Sequence, residues 1–410
     1  MGSCRQHGVA LLAMLTLLAL AGLFLFVGQL DAMQSRLLRD QKSVAALAEA
    51  RTALIGDAVS QPSIYDAGYL RLPDLGEKPG PIPAEGEASV NFAGNNKDLS
   101  VVGKFPWQTL RTSSLRDAHG ECLWYVLSGR FKIFPLTGVL NWDTQGQIDV
   151  IDAGGNVTAS NLAALLVAPG RALDGQIRDL ADEVYSECGG NYDARNYLDA
   201  FDGANAIAGE VNYFAGINHR VAPDTGNKHF VLAETNSYND RFAYVTVDDI
   251  FNAVMRRSDF RVAIQSLLDD PDLRKQVETG YPETVAVSSG AGKEKGSDNI
   301  DCNLLSSLDN RGFCRNWKEM LWLTALSLPS PITIDGVLTV STCARVLIFA
   351  GRKAAGQIRR SAPDKTLKGN YLEGTNLASF DVPTAIASDF SGASMFDYHN
   401  SSADLIRCLQ

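Results

Sequence analysis

From Val9 to Leu30 the chain reads VALLAMLTLLALAGLFLFVGQL, 22 residues without a charge, and no other feature restricts the fold so strongly. Wound as an α-helix the run is about 33 Å long, enough to cross a hydrocarbon core of roughly 30 Å. A cleaved secretory signal has a shorter apolar core, roughly 7 to 15 residues. The run therefore predicts a membrane-spanning helix. From Asp31 to Ile55 there is neither proline nor glycine, and Met33, Leu37, Val44, Leu47, Leu54 and Ile55 recur at helical spacing along a polar stretch. One helix is expected over 9–56, its first half in lipid and its second half with one face on a globular domain. Arg5 precedes the run, whereas Arg36, Arg39 and Lys42 follow it. Taken alone, the positive-inside rule favours the opposite orientation; the leader and the cysteines argue for export of the C-terminal part.

At 410 residues the chain is long enough for two cores, and its 45% hydrophobic and 20% charged residues are those of a folded protein. A net charge of -10 argues against nucleic acid as a partner, since phosphate binding needs a concentrated basic surface. The seven cysteines form no CxxC pair, and the five histidines do not stand at zinc-finger spacing from them. With Cys4 in a leader, six remain, which points to three disulfides in an oxidising compartment. Cys302 and Cys314 make the most economical pair. Cys122 with Cys188 and Cys343 with Cys408 keep each remaining bridge inside one module.

A leader ending Arg5-Gln6-His7-Gly8, then an apolar segment from Val9 running into a long amphipathic helix, resembles a type IV prepilin or a type II secretion pseudopilin. The resemblance covers about the first 56 residues. It implies cleavage after Gly8 by a prepilin peptidase, methylation of Val9, a lipid bilayer around the helix before assembly, and other pilin or pseudopilin subunits as partners. It also implies a single-pass inner-membrane protein with its C-terminal domain in the periplasm, at a pilus tip or the cell surface. The family usually has Phe and Glu at the first and fifth mature positions, where this chain has Val9 and Ala13. The missing carboxylate and the large size favour a minor, tip-type subunit.

Beyond the helix an internal repeat organises the chain. ALLVAPGRALDGQIR (164–178) realigns with RVLIFAGRKAAGQIR (345–359), LWYVLS (123–128) with LWLTALS (321–327), and Asn196-Tyr197-Leu198-Asp199 with Asn370-Tyr371-Leu372-Glu373. Three patches in one order predict two related β-rich modules. The expected fold class is thus α+β: a long membrane-spanning N-terminal helix followed by two related β-rich, pilin-like modules. The divisions are a leader at 1–8, the helix at 9–56, a first module at 57–246, a helical connection and linker at 247–299, and a second module at 300–410. Within the first module, 122–129, 131–142 and 147–157 read as strands and hairpins, and 72–96, rich in Pro, Gly and Glu, as a surface loop. Residues 247–278 read as one or two helices broken at Pro271, with a Gly/Ser/Lys linker at 288–299.

A search for catalytic motifs finds no GxSxG, HExxH or GxGxxG, and Gly292-Lys293 lacks the first glycine of a P-loop, position 287 being Val. His219 and His229, in a loop with Asp224, read as surface residues. The expectation is a protein without enzymatic activity or cofactor. Calcium is the one cation with candidate ligands, Asp298, Asn299, Asp301 and Asn303, although these lack the glycine and terminal glutamate of an EF-hand. The GQIR repeats read as structural, a glycine turn with an arginine tied to carbonyls or a carboxylate. The competing reading is a membrane-tethered binding or adhesin-like module, which would expose aromatic surface drawn from Trp107, Trp142, Trp317 or Trp322.

Overall fold

The computed structural model describes residues 6–76, 85–90, 99–136, 139–178, 187–188, 190–199, 212–215, 230–280, 300–361, 363–380 and 390–410. Its first element, α1 (Gln6–Val59), is a continuous helix of 54 residues. The C-terminal end is closed by Arg257, whose guanidinium donates to the carbonyls of Val59 and Gln61, cationic donors being favourable where the last carbonyls lack partners. In its second half, Ser43, Ala46, Leu47, Ala50, Leu54 and Ala58 are buried. This seam differs from the expected one: Leu37 and Val44 are more than half exposed. Alanines carry the contact, letting the helix backbone approach the sheet closely.

The membrane-spanning helix is a correction. Among the described residues no helix is long and apolar enough to cross a membrane. Side chains in the first part of α1 are described for Leu11 to Phe24, a stretch of about 21 Å against the roughly 30 Å required. The single-pass inner-membrane placement, and the anchored prepilin scheme built on it, lose their structural support with it.

The body is mixed α/β with several small sheets rather than two pilin-like modules behind a membrane helix. Strands β1 (Leu99–Lys104), β2 (Trp124–Leu127), β3 (Ile148–Asp152), β4 (Val157–Leu162), β5 (Ala164–Ala168), β6 (Tyr213–Ala215), β7 (Phe230–Leu232) and β8 (Arg241–Val245) come first. They form an antiparallel sheet of order β6-β1-β2-β5-β8 and a smaller sheet β4-β3-β7. The alternation of side chains across the larger sheet feeds two cores. Tyr125, Leu127, Ala164 and Leu166 face the main core with α1, while Trp124, Val126, Leu165 and Val167 pack with Ile148, Val150 and Phe230. With both faces covered, β5 is an uninterrupted apolar run.

Three helices follow: α2 (Val247–Val254), α3 (Ser258–Leu268) and α4 (Pro271–Gly280). A capping box of Thr246 and Asp249 opens α2. Pro271 opens α4 instead of breaking a longer helix, as its fixed φ suits the first helical position; the breaks fall at 255–257 and 269–270. After α5 (Leu308–Trp317) come β9 (Leu321–Ser330), β10 (Thr333–Ile334), β11 (Val337–Leu338), β12 (Cys343–Phe349), the short α6 (Gly374–Ser379), β13 (Ser391–Gly392) and β14 (Leu405–Leu409). They give antiparallel β14-β12-β9 and a small sheet β11-β10-β13. One cluster of buried side chains runs from α1 through both larger sheets, so the halves share a core.

Among the described residues of 131–142 the expected strand and hairpin structure is not formed. Lys132 makes an isolated bridge to Leu70, and Phe131, Leu140 and Trp142 are buried from irregular backbone. Pro135 lacks the N–H a strand interior needs. The 72–96 segment is also less superficial than its composition implies: Leu72, Asp74, Glu85 and Gly86 are buried.

Candidate functional site

Among the described residues the repeated motif is the best-defined polar constellation. Trp124 stands opposite Val167 in β2–β5, and Trp322 opposite Ile348 in β9–β12, the same register in both copies. Each central strand runs into a glycine turn, Gly175 at φ 90° and Gly356 at φ 92°, a conformation that disfavours any side chain. The Gln176 side chain accepts from the Leu173 amide at 3.0 Å, and Gln357 from Ala354 at 2.8 Å. Arg178 donates to the carbonyls of Gly170 (2.8 Å) and Asn196 (3.0 Å) and to Gln176. Arg359 donates to Gly351 (2.9 Å), Asn370 and Gln357. Each guanidinium lies over a tyrosine, Tyr197 or Tyr371, that packs on the matching tryptophan. Every donor is turned inward onto the chain, so the motif braces the fold.

The copies part at the arginine's last contact. Arg178 pairs with Glu121 at 3.4 Å, the carboxylate side chain being 29% exposed. Arg359 reaches across to Asp143 at 3.1 Å, with both side chains at most 2% exposed. Burial pushes the Asp143 carboxyl up, against the pull of Arg359. Buried carboxylates also precede each third strand: burial holds Asp240 well above its usual range and raises Asp404 to about 7, and one oxygen of each has no hydrogen-bond partner among the described residues. Asp74, raised to about 6 by burial, accepts from the Gly86 amide at 2.7 Å and Tyr192 at 3.1 Å beside the buried Lys104.

Cys122 is bonded to Cys188, Cys302 to Cys314, and Cys343 to Cys408. The third bridge ties the C-terminal strand to the start of β12. Gly8 and Val9 lie in α1, and their side chains are outside the described set. His219, His229 and Asp224 lie outside the described residues, as do Asp298, Asn299 and the 288–299 linker. Asp301 caps a short turn by accepting from the Asn303 amide, and Asn303 accepts from Arg315. Among the described residues no group of three or more His, Cys, Asp or Glu is placed to hold a metal. The tryptophans give no exposed patch: Trp142, Trp317 and Trp322 are at most 4% exposed, and Trp107 is partly buried.

The large apolar surface belongs to α1 instead. From Leu11 to Phe24 every residue is exposed, and nine large apolar side chains, from Leu11 to Phe24, are each at least 60% so. Ala13 lies in this face. Because consecutive positions around the whole helix are apolar, one groove cannot cover it; such a helix is stable when surrounded. Burying each Leu, Met or Phe contributes about 1.5–3 kcal/mol.

No family model, curated protein or solved structure matches the chain.

Proposed function

We propose that this chain is a non-enzymatic subunit of a multi-chain assembly, of the minor pilin or pseudopilin kind, joined to other subunits by helix packing around the first half of α1. The observation that carries the reading is the contrast within one helix. Residues 43–58 bury a face on the body, whereas 11–24 present apolar side chains on all sides. A surrounding set of partner helices satisfies that surface. Ala13 puts no carboxylate in the contact, in keeping with a subunit of special position. Three disulfides support the reading that the body works in an oxidising compartment such as the periplasm. The tethered binding-module reading has less support, because the tryptophans that would form its patch are buried or partly buried.

The test is the Leu15→Glu/Leu18→Glu double variant in its producing cell. It should lose the high-molecular-mass complexes formed by the native chain while its melting temperature stays unchanged, since neither side chain packs on the body. Complexes of undiminished size would refute the reading.

A further inference from the structure

A cavity of about 570 Å³ opens beside the C-terminal end of α1, between the α2–α3 junction and the 393–403 loop. Its wall carries three arginines with different fates, Arg256 and Arg257 at the junction and Arg261 in the first turn of α3. Arg257 is engaged, by Asp259 and by the carbonyls at the end of α1. Arg256 and Arg261 are exposed and line the cavity, and their guanidinium groups have no hydrogen bond or ion pair among the described residues. In a chain of net charge -10, two neighbouring arginines without an acidic partner are a distinct local surface. In the same lining Met395 and Tyr398 are 50% and 44% exposed, and Phe396 is buried. A thioether and a phenol ring make an adaptable apolar contact with a polar edge.

Two carboxylates also line the space. Asp335 accepts from the Ser394 amide at 3.0 Å and Asp397 from the His399 amide at 3.0 Å. They oppose a concentrated polyanion such as phosphate, which brings nearly two negative charges to one point. A ligand with single carboxylates separated by neutral backbone and an apolar side chain fits all three groups, because arginine binds carboxylate through parallel N–H donors.

We propose that this cavity takes an acidic peptide segment of another protein, its carboxylates on Arg256 and Arg261 and an apolar side chain on Met395 and Tyr398. The proposal rests on the assembly reading for the class of partner. The cavity lies about 50 Å along α1 from Phe24, so the two contacts are separate. The probe is fluorescein-labelled acetyl-Gly-Phe-Glu-Gly-Glu-Gly amide, with its glutamine counterpart, titrated against the full chain by anisotropy. The native chain should bind the glutamate peptide at least tenfold more tightly than the glutamine peptide. Arg256→Glu/Arg261→Glu should weaken it at least tenfold, while Arg171→Glu, an exposed arginine elsewhere, should not. The Leu15→Glu/Leu18→Glu variant should bind it like the native chain, which separates failure here from failure of the assembly reading. Undiminished binding by the Arg256/Arg261 variant, no binding by the native chain, or displacement by equimolar inorganic phosphate would each overturn the proposal. If charge reversal disturbs folding, Arg256→Gln/Arg261→Gln gives the same comparison.

Discussion

The two copies of the three-stranded unit, β2-β5-β8 and β9-β12-β14, share a register, a glycine turn and an inward-turned arginine, yet they are built into the body differently. The first is covered on both faces and closes its arginine onto its own partly exposed Glu121. The second closes onto Asp143, which the first half supplies. Identical local geometry therefore carries unequal energy, because a hydrogen bond's worth depends on what its loss leaves buried.

The largest difference should come from the arginines themselves. Arg359→Ala strands the Asp143 carboxylate in the core and should cost about 3–5 kcal/mol in urea unfolding. Arg178→Ala leaves Glu121 able to reach water and should cost about 1–2 kcal/mol. Equal losses would mean that the copies are equivalent after all.

Next come the bridges. Cys122–Cys188 and Cys343–Cys408 close loops of 66 and 65 positions, so in the chain-entropy model paired replacement by alanine should cost each copy about 4 kcal/mol. Cys302–Cys314, at a separation of 12, should cost about 1.5 kcal/mol less. Unequal losses for the two long bridges would show that one copy unfolds before the other.

The last difference depends on pH. Asp404 titrates near 7 in the folded chain and near 3.8 when unfolded. Between those values the folded state binds more protons, so its stability falls as pH rises from about 4 to 7. At about 1.4 kcal/mol per unit the rise bounds the loss at about 4 kcal/mol, so Asp404→Asn should be more stable than the native chain at pH 8 and equal to it at pH 4. A gain at both pH values would trace the effect to packing instead.

How far the sequence exposed this arrangement varies with the kind of signal. The repeat was legible because Gly175, Gln176 and Arg178, and their partners Gly356, Gln357 and Arg359, serve strictly local geometry. Asp143 was not, since nothing repeats it and its partner lies 216 positions away. The seam of α1 was misread because Ala46, Ala50 and Ala58 count little in an apolar pattern, yet they decide which face fits against a sheet. The 131–142 segment has strand-like residue types, but Pro135 and the turn around Asn141, which accepts from the Asp143 amide, hold it in irregular structure. The cavity with Arg256 and Arg261 depends on a loop more than 130 positions later, and no short motif signals it.

Site-specific photo-crosslinking along α1 tests the central claim most directly. A benzophenone amino acid placed in turn at Leu11, Leu15, Leu18 and Phe24, and at Glu49 and Thr52 on the exposed side of the packed half, samples both halves of the helix. The account predicts crosslinks to a helix of another chain from all four positions in 11–24, and few from the other two. Crosslinks confined to the chain's own body, or equal yields from both halves, would contradict it.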